Sequence, residues 1–272
     1  MAPTEKLGYW GVPTSTIDWC ENNYEVNYYV AEMWNTVSNL MMILPSLWGM
    51  FEVLRKGFDR RFVFCNFLLL VVGIGSWAFH MTLLYRMQLF DELPMVYGTC
   101  VHVYCLYEIQ NPRRTHSYNL IIIGILTTYA IGFTTVYLLC PQPLIQHTSY
   151  GILVIISFYF EYSIIREEKC KTCQKLFLMS VPTYLFGFLL WNIDKLFCTN
   201  LTLLRRNLPK ALSPVTQLHA WWHIFAGYGT YVQILFCIHS RHDFRKKKND
   251  LYDLEVLPFA SSLRWVQKLK TQ

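Results

Sequence analysis

Seven apolar blocks, most of them long enough to cross a bilayer as a helix, alternate with short segments that hold most of the charged residues. A spanning α-helix needs about 20 predominantly apolar residues. Charged side chains make up only 15% of the chain, against roughly 25% in soluble proteins. The pattern therefore predicts an all-α membrane protein, a bundle of seven transmembrane helices without a sizeable soluble domain. The blocks are residues 33–54, 62–84, 93–107, 119–139, 144–165, 176–197 and 215–238.

Lysine and arginine are unevenly divided between the two sides of such a bundle. With seven spans, about 18 of them fall on the side of the carboxyl-terminal tail and about 6 on the other. By the positive-inside rule, the amino terminus is luminal or extracellular and the carboxyl terminus is cytosolic. We therefore divide the chain into a luminal amino-terminal segment (1–31), a transmembrane bundle (32–240) and a cytosolic basic tail (241–272).

Two further features concern the ends of the chain. The first thirty residues are polar and acidic rather than a basic start followed by an apolar core, so we expect the first span to act as its own signal. The basic run at residues 245–248 lies where anionic cytosolic lipids would attract it, and we expect membrane contact rather than nucleic-acid binding.

Histidines occur in helical register inside two of the blocks. Ser76 and His80 are four residues apart in the second block, and His219 and His223 are four apart in the seventh. Residues four apart lie on one face of a helix. Both pairs fall in the luminal half of the predicted bundle, and Asp91 returns to this level after a short loop.

These groups are costly inside a membrane unless they are paired or bind a ligand. Zinc takes three imidazole nitrogens and keeps a position for water, so His80, His219 and His223 are candidate ligands of an intramembrane zinc ion. Asp91 is then a candidate proton acceptor, and Ser76 a candidate donor to an oxyanion. The alternative is that each histidine forms a hydrogen bond with a neighbouring helix. Because two such pairs lie at one depth, we favour the zinc site over this alternative.

Oxygen-bearing side chains cluster before and at the start of the first block, at Asp18, Glu21, Asn23 and Glu32. Calcium takes six to eight oxygens from carboxylates, amides and backbone carbonyls. The spacing is not that of an EF-hand loop. Composition alone therefore favours a solvated acidic surface over a calcium site.

The cysteines sort by predicted side. Cys20 and Cys198 are both luminal, where disulfides form, and we expect them to pair, with Cys140 as the competing partner. Cys170 and Cys173 lie in a reducing cytosolic loop. This pair could bind metal or act in redox chemistry, but no second pair lies beside it, so free thiols are expected.

Several stretches, taken together, resemble the alkaline ceramidase family, most closely its phytoceramidase branch (alkaline ceramidase type three). They follow one another along nearly the whole chain. They are Gly8 to Gly11 (GYWG), Ser15 to Glu21 (STIDWCE), Ala31 to Leu40 (AEMWNTVSNL), Val71 to Thr82 (VVGIGSWAFHMT), Gln88 to Met95 (QLFDELPM), Trp191 to Asp194 (WNID) with Cys198, and Thr216 to His223 (TQLHAWWH).

The resemblance implies an intramembrane zinc hydrolase that takes ceramide, dihydroceramide or phytoceramide from the bilayer and releases a sphingoid base and a fatty acid. It implies membranes of the endoplasmic reticulum and Golgi, an alkaline optimum and calcium dependence. By matching position, the zinc ligands are His80, His219 and His223, and the water-polarising pair is Ser76 and Asp91. The implied calcium ligands are Asp18, Trp19 (through its carbonyl), Glu21, Asn23 and Glu32.

Two other classes of membrane protein remain as alternatives. A seven-span metal-bearing receptor of the adiponectin-receptor type shares the histidine pattern, although its orientation is inverted relative to the one predicted here. An ion or proton transporter could use the same buried polar groups, but broken helices or an internal repeat would then be expected.

Overall fold

The fold is a helical bundle with a small β-hairpin near the carboxyl terminus. The computed structural model describes residues 7–111, 116–245, 252–257 and 262–267. The helices are α1 (Met33–Ser38), α2 (Leu40–Lys56), α3 (Arg61–Thr82), α4 (Tyr85–Gln110), α5 (His116–Leu139), α6 (Pro143–Glu168), α7 (Lys171–Leu196), α8 (Cys198–Asn207) and α9 (Leu218–Arg245), with a 3-10 turn at Ser213–Thr216. The strands β1 (Tyr252–Val256) and β2 (Leu263–Gln267) pair antiparallel.

Five helical segments within the described residues are long and apolar enough to cross a membrane: Met33–Lys56, Arg61–Thr82, Ser117–Leu139, Pro143–Glu167 and Lys171–Leu196. They correspond to five of the seven predicted blocks. The other two blocks fall on α4 and α9, which are equally long but more polar. The helical bundle is thus confirmed, whereas the count of seven spans stays a prediction.

Two predicted helix positions differ from the structure. The third block was expected to begin at Leu93, but α4 begins at Tyr85 and contains both Asp91 and Glu92. These two acids are buried rather than exposed at a helix boundary. The first block is interrupted between Ser38 and Leu40, where Asn39 donates through its side chain to the carbonyl of Asn35. Such local side-chain bonds compete with regular helix.

The long helix α9 lies at the centre of the bundle. Residues 231–241 are buried on every side, as expected for a helix surrounded by others. The outer helices carry their apolar side chains outward, for example Leu120, Ile121 and Ile125 on α5. An apolar exterior of this kind fits contact with lipid.

Small residues allow close helix contacts beside the histidines. A Cβ added to Gly75 of α3 would lie 2.2 Å from the carbonyl oxygen of Phe90 in α4. The backbones of α3 and α4 therefore touch at the level of Ser76 and Asp91. Glycine is the residue that permits such an approach between transmembrane helices.

A two-stranded carboxyl-terminal hairpin, which was not predicted, adds to the otherwise all-helical fold. Its Ser262 donates to Glu52 at 2.7 Å, and Lys56 donates to Ser262 at 2.9 Å. Leu263 packs into the main apolar core with an exposure of 1%. The helix α9 also continues to Arg245, past the predicted end of the bundle at residue 240. Most of the predicted basic run lies outside the described residues.

Candidate metal centre and active site

Three histidines from two helices converge in the bundle. His80 is near the end of α3, and His219 and His223 are in the first turns of α9. Their ring centroids are 4.5 to 5.1 Å apart, and one ring nitrogen of each lies within 4.8 Å of the others. Their side chains are at most 3% exposed. The helical register seen in the sequence therefore produces one compact, buried cluster.

Two of the three rings are oriented by hydrogen bonds at Nδ1. His80 Nδ1 lies 2.5 Å from a carboxylate oxygen of Glu32, and His223 Nδ1 lies 2.8 Å from the hydroxyl of Ser38. Partners of this kind fix the tautomer and the ring orientation of metal-ligating histidines and leave Nε2 for the metal. The segment that supplies Glu32 and Ser38, around α1, thus supports the histidine cluster directly.

The third ring is held differently. Trp19 stacks on His219 with a centroid distance of 3.7 Å and an interplanar angle of 17°. The buried Nδ1 of His219 has no hydrogen-bond partner among the residues that the structure describes. An unpaired buried nitrogen is costly, and a bound cation would remove that cost. The three buried imidazoles form a donor set that zinc binds.

Ser76 and Asp91 lie beside the cluster. Ser76 is one turn before His80 on α3, and its side chain interacts with the Asp91 carboxylate across the close contact of α3 with α4. Both side chains are buried. The role of Ser76 as a donor to an oxyanion stays a prediction.

The amino-terminal acids do not form an equally tight group. Two compact groups of His, Cys, Asp or Glu, with ligand atoms within 4.8 Å of one another, occur among the described residues. Asp18, Glu21 and Glu32 belong to neither group. The carboxylates are nevertheless near neighbours, since Asp18 and Glu21 both act electrostatically on Glu32. Asn23 is buried close by in the sequence. The second carboxylate oxygen of Glu32 is buried, and within the described part of the chain it has no hydrogen-bond partner.

Glu21 also has a structural role that the sequence did not reveal. Its two carboxylate oxygens accept the backbone N–H groups of Trp34 and Asn35 at 2.8 Å each, in the first turn of α1. Burial raises the pKa of Glu21 to about 7, although these two N–H donors lower it. A carboxylate at a helix amino terminus satisfies donors that the helix itself leaves unpaired.

The amino-terminal segment is fastened to the bundle near α8. Cys20 and Cys198 form a disulfide, the pairing expected from the sequence, and Cys140 is free. Asp194 accepts the backbone N–H groups of Cys20 at 3.2 Å and of His219 at 3.3 Å. The carboxylate thus joins this segment to a cluster histidine.

Some of these contacts were missed at the level of sequence. Glu32 was assigned only to calcium, although it also contacts His80. Ser38 was not singled out, and the only signal was the polar run NTVSN inside an otherwise apolar block. Buried Arg205 was missed as well; it donates to the carbonyl of Cys20 at 2.9 Å.

The prediction of free thiols at Cys170 and Cys173 is wrong in this structure, which joins them in a disulfide. Two cysteines three residues apart at the start of α7 bring their Cα atoms to 5.2 Å, within the range that a disulfide spans. His239 and Asp243, on α9, complete a second compact group with this pair.

Comparison with known proteins identifies the family. A ceramidase family model matches residues 11–261. Alkaline ceramidase 3 of Mus musculus is 44% identical over 242 residues, covering 89% of this chain and 90% of the mouse protein. Alkaline ceramidase YPC1 of Saccharomyces cerevisiae is 31% identical over 249 residues, covering 86% of this chain and 79% of the yeast protein. An alkaline ceramidase of Arabidopsis thaliana is 29% identical over 267 residues, covering 97% of each chain. The chain therefore belongs to the alkaline ceramidase family.

Proposed function

We propose that this protein is a zinc-dependent hydrolase that cleaves the amide bond of ceramides and releases a sphingoid base and a free fatty acid. Family membership supports ceramide hydrolysis. The observation that carries the zinc-dependent mechanism is the cluster of His80, His219 and His223 beside the Ser76–Asp91 pair. The relatives are ceramidases, so the receptor alternative is not favoured.

The histidine cluster fits zinc by its chemistry. His80, His219 and His223 would hold the ion, with Glu32 and Ser38 orienting two of the rings. When bound by three imidazoles, zinc polarises a carbonyl and lowers the pKa of a coordinated water toward neutrality.

Asp91 and Ser76 supply the groups that move and hold protons. Amide hydrolysis requires a base that accepts a proton from water and an acid that returns it to the leaving amine. The Asp91 carboxylate accepts the proton and then gives it to the sphingoid amine. Ser76 donates its hydroxyl hydrogen to the carboxylate, which keeps the acceptor oxygen in a fixed position.

The substrate is proposed to enter from the lipid. An apolar cavity of about 580 Å³ lies between α3, α4 and α5, with Tyr97, Tyr104 and Leu126 in its wall. Its size falls in the range of small-molecule sites. Tyr97 lies roughly 9 Å from Asp91 along the axis of α4. Because the cavity wall is this near to the proposed catalytic carboxylate, we assign one hydrocarbon chain of ceramide to the cavity.

We propose calcium as a second, structural ion, held by Asp18, the carbonyl of Trp19, Glu21, Asn23 and Glu32. Support comes from the neighbouring carboxylates and from the unpaired buried oxygen of Glu32. Calcium there would fix the segment whose Trp19 stacks on His219 and whose Glu32 orients His80. It would thereby position the histidine cluster without touching the substrate.

The proposed setting is a multi-pass protein of the endoplasmic reticulum and Golgi with seven spans. The amino terminus is proposed to be luminal and the carboxyl terminus cytosolic, according to the distribution of lysine and arginine. The Cys20–Cys198 disulfide then lies in an oxidising compartment, as disulfides in secretory membranes do.

The test is turnover of a long-chain unsaturated ceramide by detergent-purified protein, with bound metals quantified in the same sample. We expect release of sphingoid base, together with about one zinc at the histidine cluster and about one calcium per chain. Removal of zinc with a chelator should abolish turnover, and added zinc should restore it. Zinc-loaded protein that cleaves none of ceramide, dihydroceramide and phytoceramide would contradict the proposal.

A Gly75→Ala substitution is expected to lower turnover by about 10²-fold, the order of loss that a displacement of about 1 Å produces. The new methyl group would meet the backbone of Phe90 and push α4, with Asp91, away from Ser76. Zinc content should stay unchanged because none of the three histidines of the cluster is on α4. Turnover of the purified variant measures the effect.

Gly124→Ala is the matched control for this substitution. Gly124 also lies inside a long helix, and a Cβ there meets nothing within 4 Å. We expect this variant to retain wild-type turnover. Equal losses in the two variants would show that the contact at Gly75 does not position the catalytic pair.

A further inference from the structure

A second group of potential metal ligands joins the beginning of α7 to the end of α9. Cys170 precedes α7, Cys173 is in its first turn, and His239 and Asp243 are one turn apart on α9. The Nδ1 atom of His239 lies 3.6 Å from the sulfur of Cys173 and 3.9 Å from that of Cys170. One ligand atom of each of the four residues lies within 4.8 Å of the others.

We propose that this group is a second zinc site, which forms when Cys170 and Cys173 are reduced. Two thiolates, one imidazole and one carboxylate make up a four-ligand set of the kinds that zinc binds. The burial supports a built site, since Cys173 is 1% and His239 is 3% exposed. The site is separate from the three-histidine cluster, because His239 follows His223 by roughly 24 Å of helical rise on α9.

The surroundings of the sulfurs favour thiolates. The backbone N–H of Cys173 donates to the sulfur of Cys170 at 3.1 Å, and the hydroxyl of Ser240 donates to the sulfur of Cys173 at 3.6 Å. Both cysteines also lie at the amino-terminal end of α7, where the helix dipole favours negative charge. Donors and a positive helix end of this kind lower the cost of deprotonating a cysteine.

The disulfide and the metal site are alternative states of the same pair. Two molecules of a thiol reductant supply two electrons and two protons to the Cys170–Cys173 bond and leave as their own disulfide. Zinc then displaces the two thiol protons when it binds. In the orientation proposed above, this end of the bundle faces the reducing cytosol, so the zinc-bound state fastens α7 to α9 there. Exchange with a small-molecule disulfide, which takes up the two electrons and leaves as two thiols, re-forms the Cys170–Cys173 bond and releases the ion.

Cobalt binding to the purified full-length protein tests the proposal. Cobalt(II) bound to thiolate shows a near-ultraviolet charge-transfer absorption, which a site made of histidines alone lacks. We expect this band in wild-type protein after thiol reduction and not before it. The Cys170→Ser/Cys173→Ser double variant should lack the band and bind about one zinc fewer per chain when reduced.

The Cys140→Ser variant is the control, since Cys140 is an exposed free cysteine away from the group. It should keep both the band and the metal content. Absence of the band in reduced wild type, or an unchanged band in the double variant, would overturn the proposal. The readout is independent of ceramide turnover, so failure of the proposed hydrolase function would not be mistaken for failure of this site.

Discussion

An Asp91→Asn substitution is expected to lower ceramide turnover by about 10²- to 10⁴-fold, the usual contribution of a general base, while the protein keeps its zinc. Asparagine has nearly the same shape as aspartate and can still accept the hydrogen bond from Ser76. It cannot take a proton from water. The measurement is the turnover number of the purified variant, with zinc quantified in the same preparation.

Glu92→Gln provides the matched control. Glu92 is the adjacent carboxylate on α4 and is also buried, but it contacts Tyr137 and Gln88 rather than Ser76. We expect this variant to retain turnover within a few-fold of wild type. If Asp91→Asn retains turnover, or if both variants lose it equally, Asp91 is not the specific proton acceptor.

The histidine cluster could be predicted from the sequence because its information is local. His219 and His223 share one helix face through their spacing alone, and Ser76 and His80 do the same. That the two faces meet follows from the cost of leaving polar groups in lipid, which brings such groups together. The apolar blocks similarly predicted most of the helices.

Contacts made by tertiary packing could not be predicted in this way. Glu32 reaches His80 and Ser38 reaches His223 only because α1 ends at Ser38 and packs across the ends of α3 and α9. The group at Cys170 and Cys173 depends on the packing of α7 against α9, which no spacing within the sequence encodes. The carboxyl-terminal hairpin was missed for the same reason, since it packs beside Glu52, far away in the chain.

A His219→Ala substitution is expected to remove zinc from the histidine cluster and to lower turnover by about 10³-fold. The loss of turnover follows because the bound metal contributes several kcal/mol of transition-state stabilisation. Two imidazoles would remain, and zinc in proteins is held by three or four protein ligands. His219→Gln should give the same result while filling more of the space beside Trp19, so that loss of packing against the indole is separated from loss of the ligand. Zinc content and turnover of both variants are the measurements.

The control for these variants is His147→Asn. His147 is a partly buried histidine on α6 that contacts Gln146 and Trp191 and lies outside the cluster. We expect it to keep both zinc and turnover, because no ligand is lost. If the His219 variants retained zinc and turnover, the three histidines would be bonding neighbouring helices rather than a catalytic metal, and the hydrolase would need another source for its activated water.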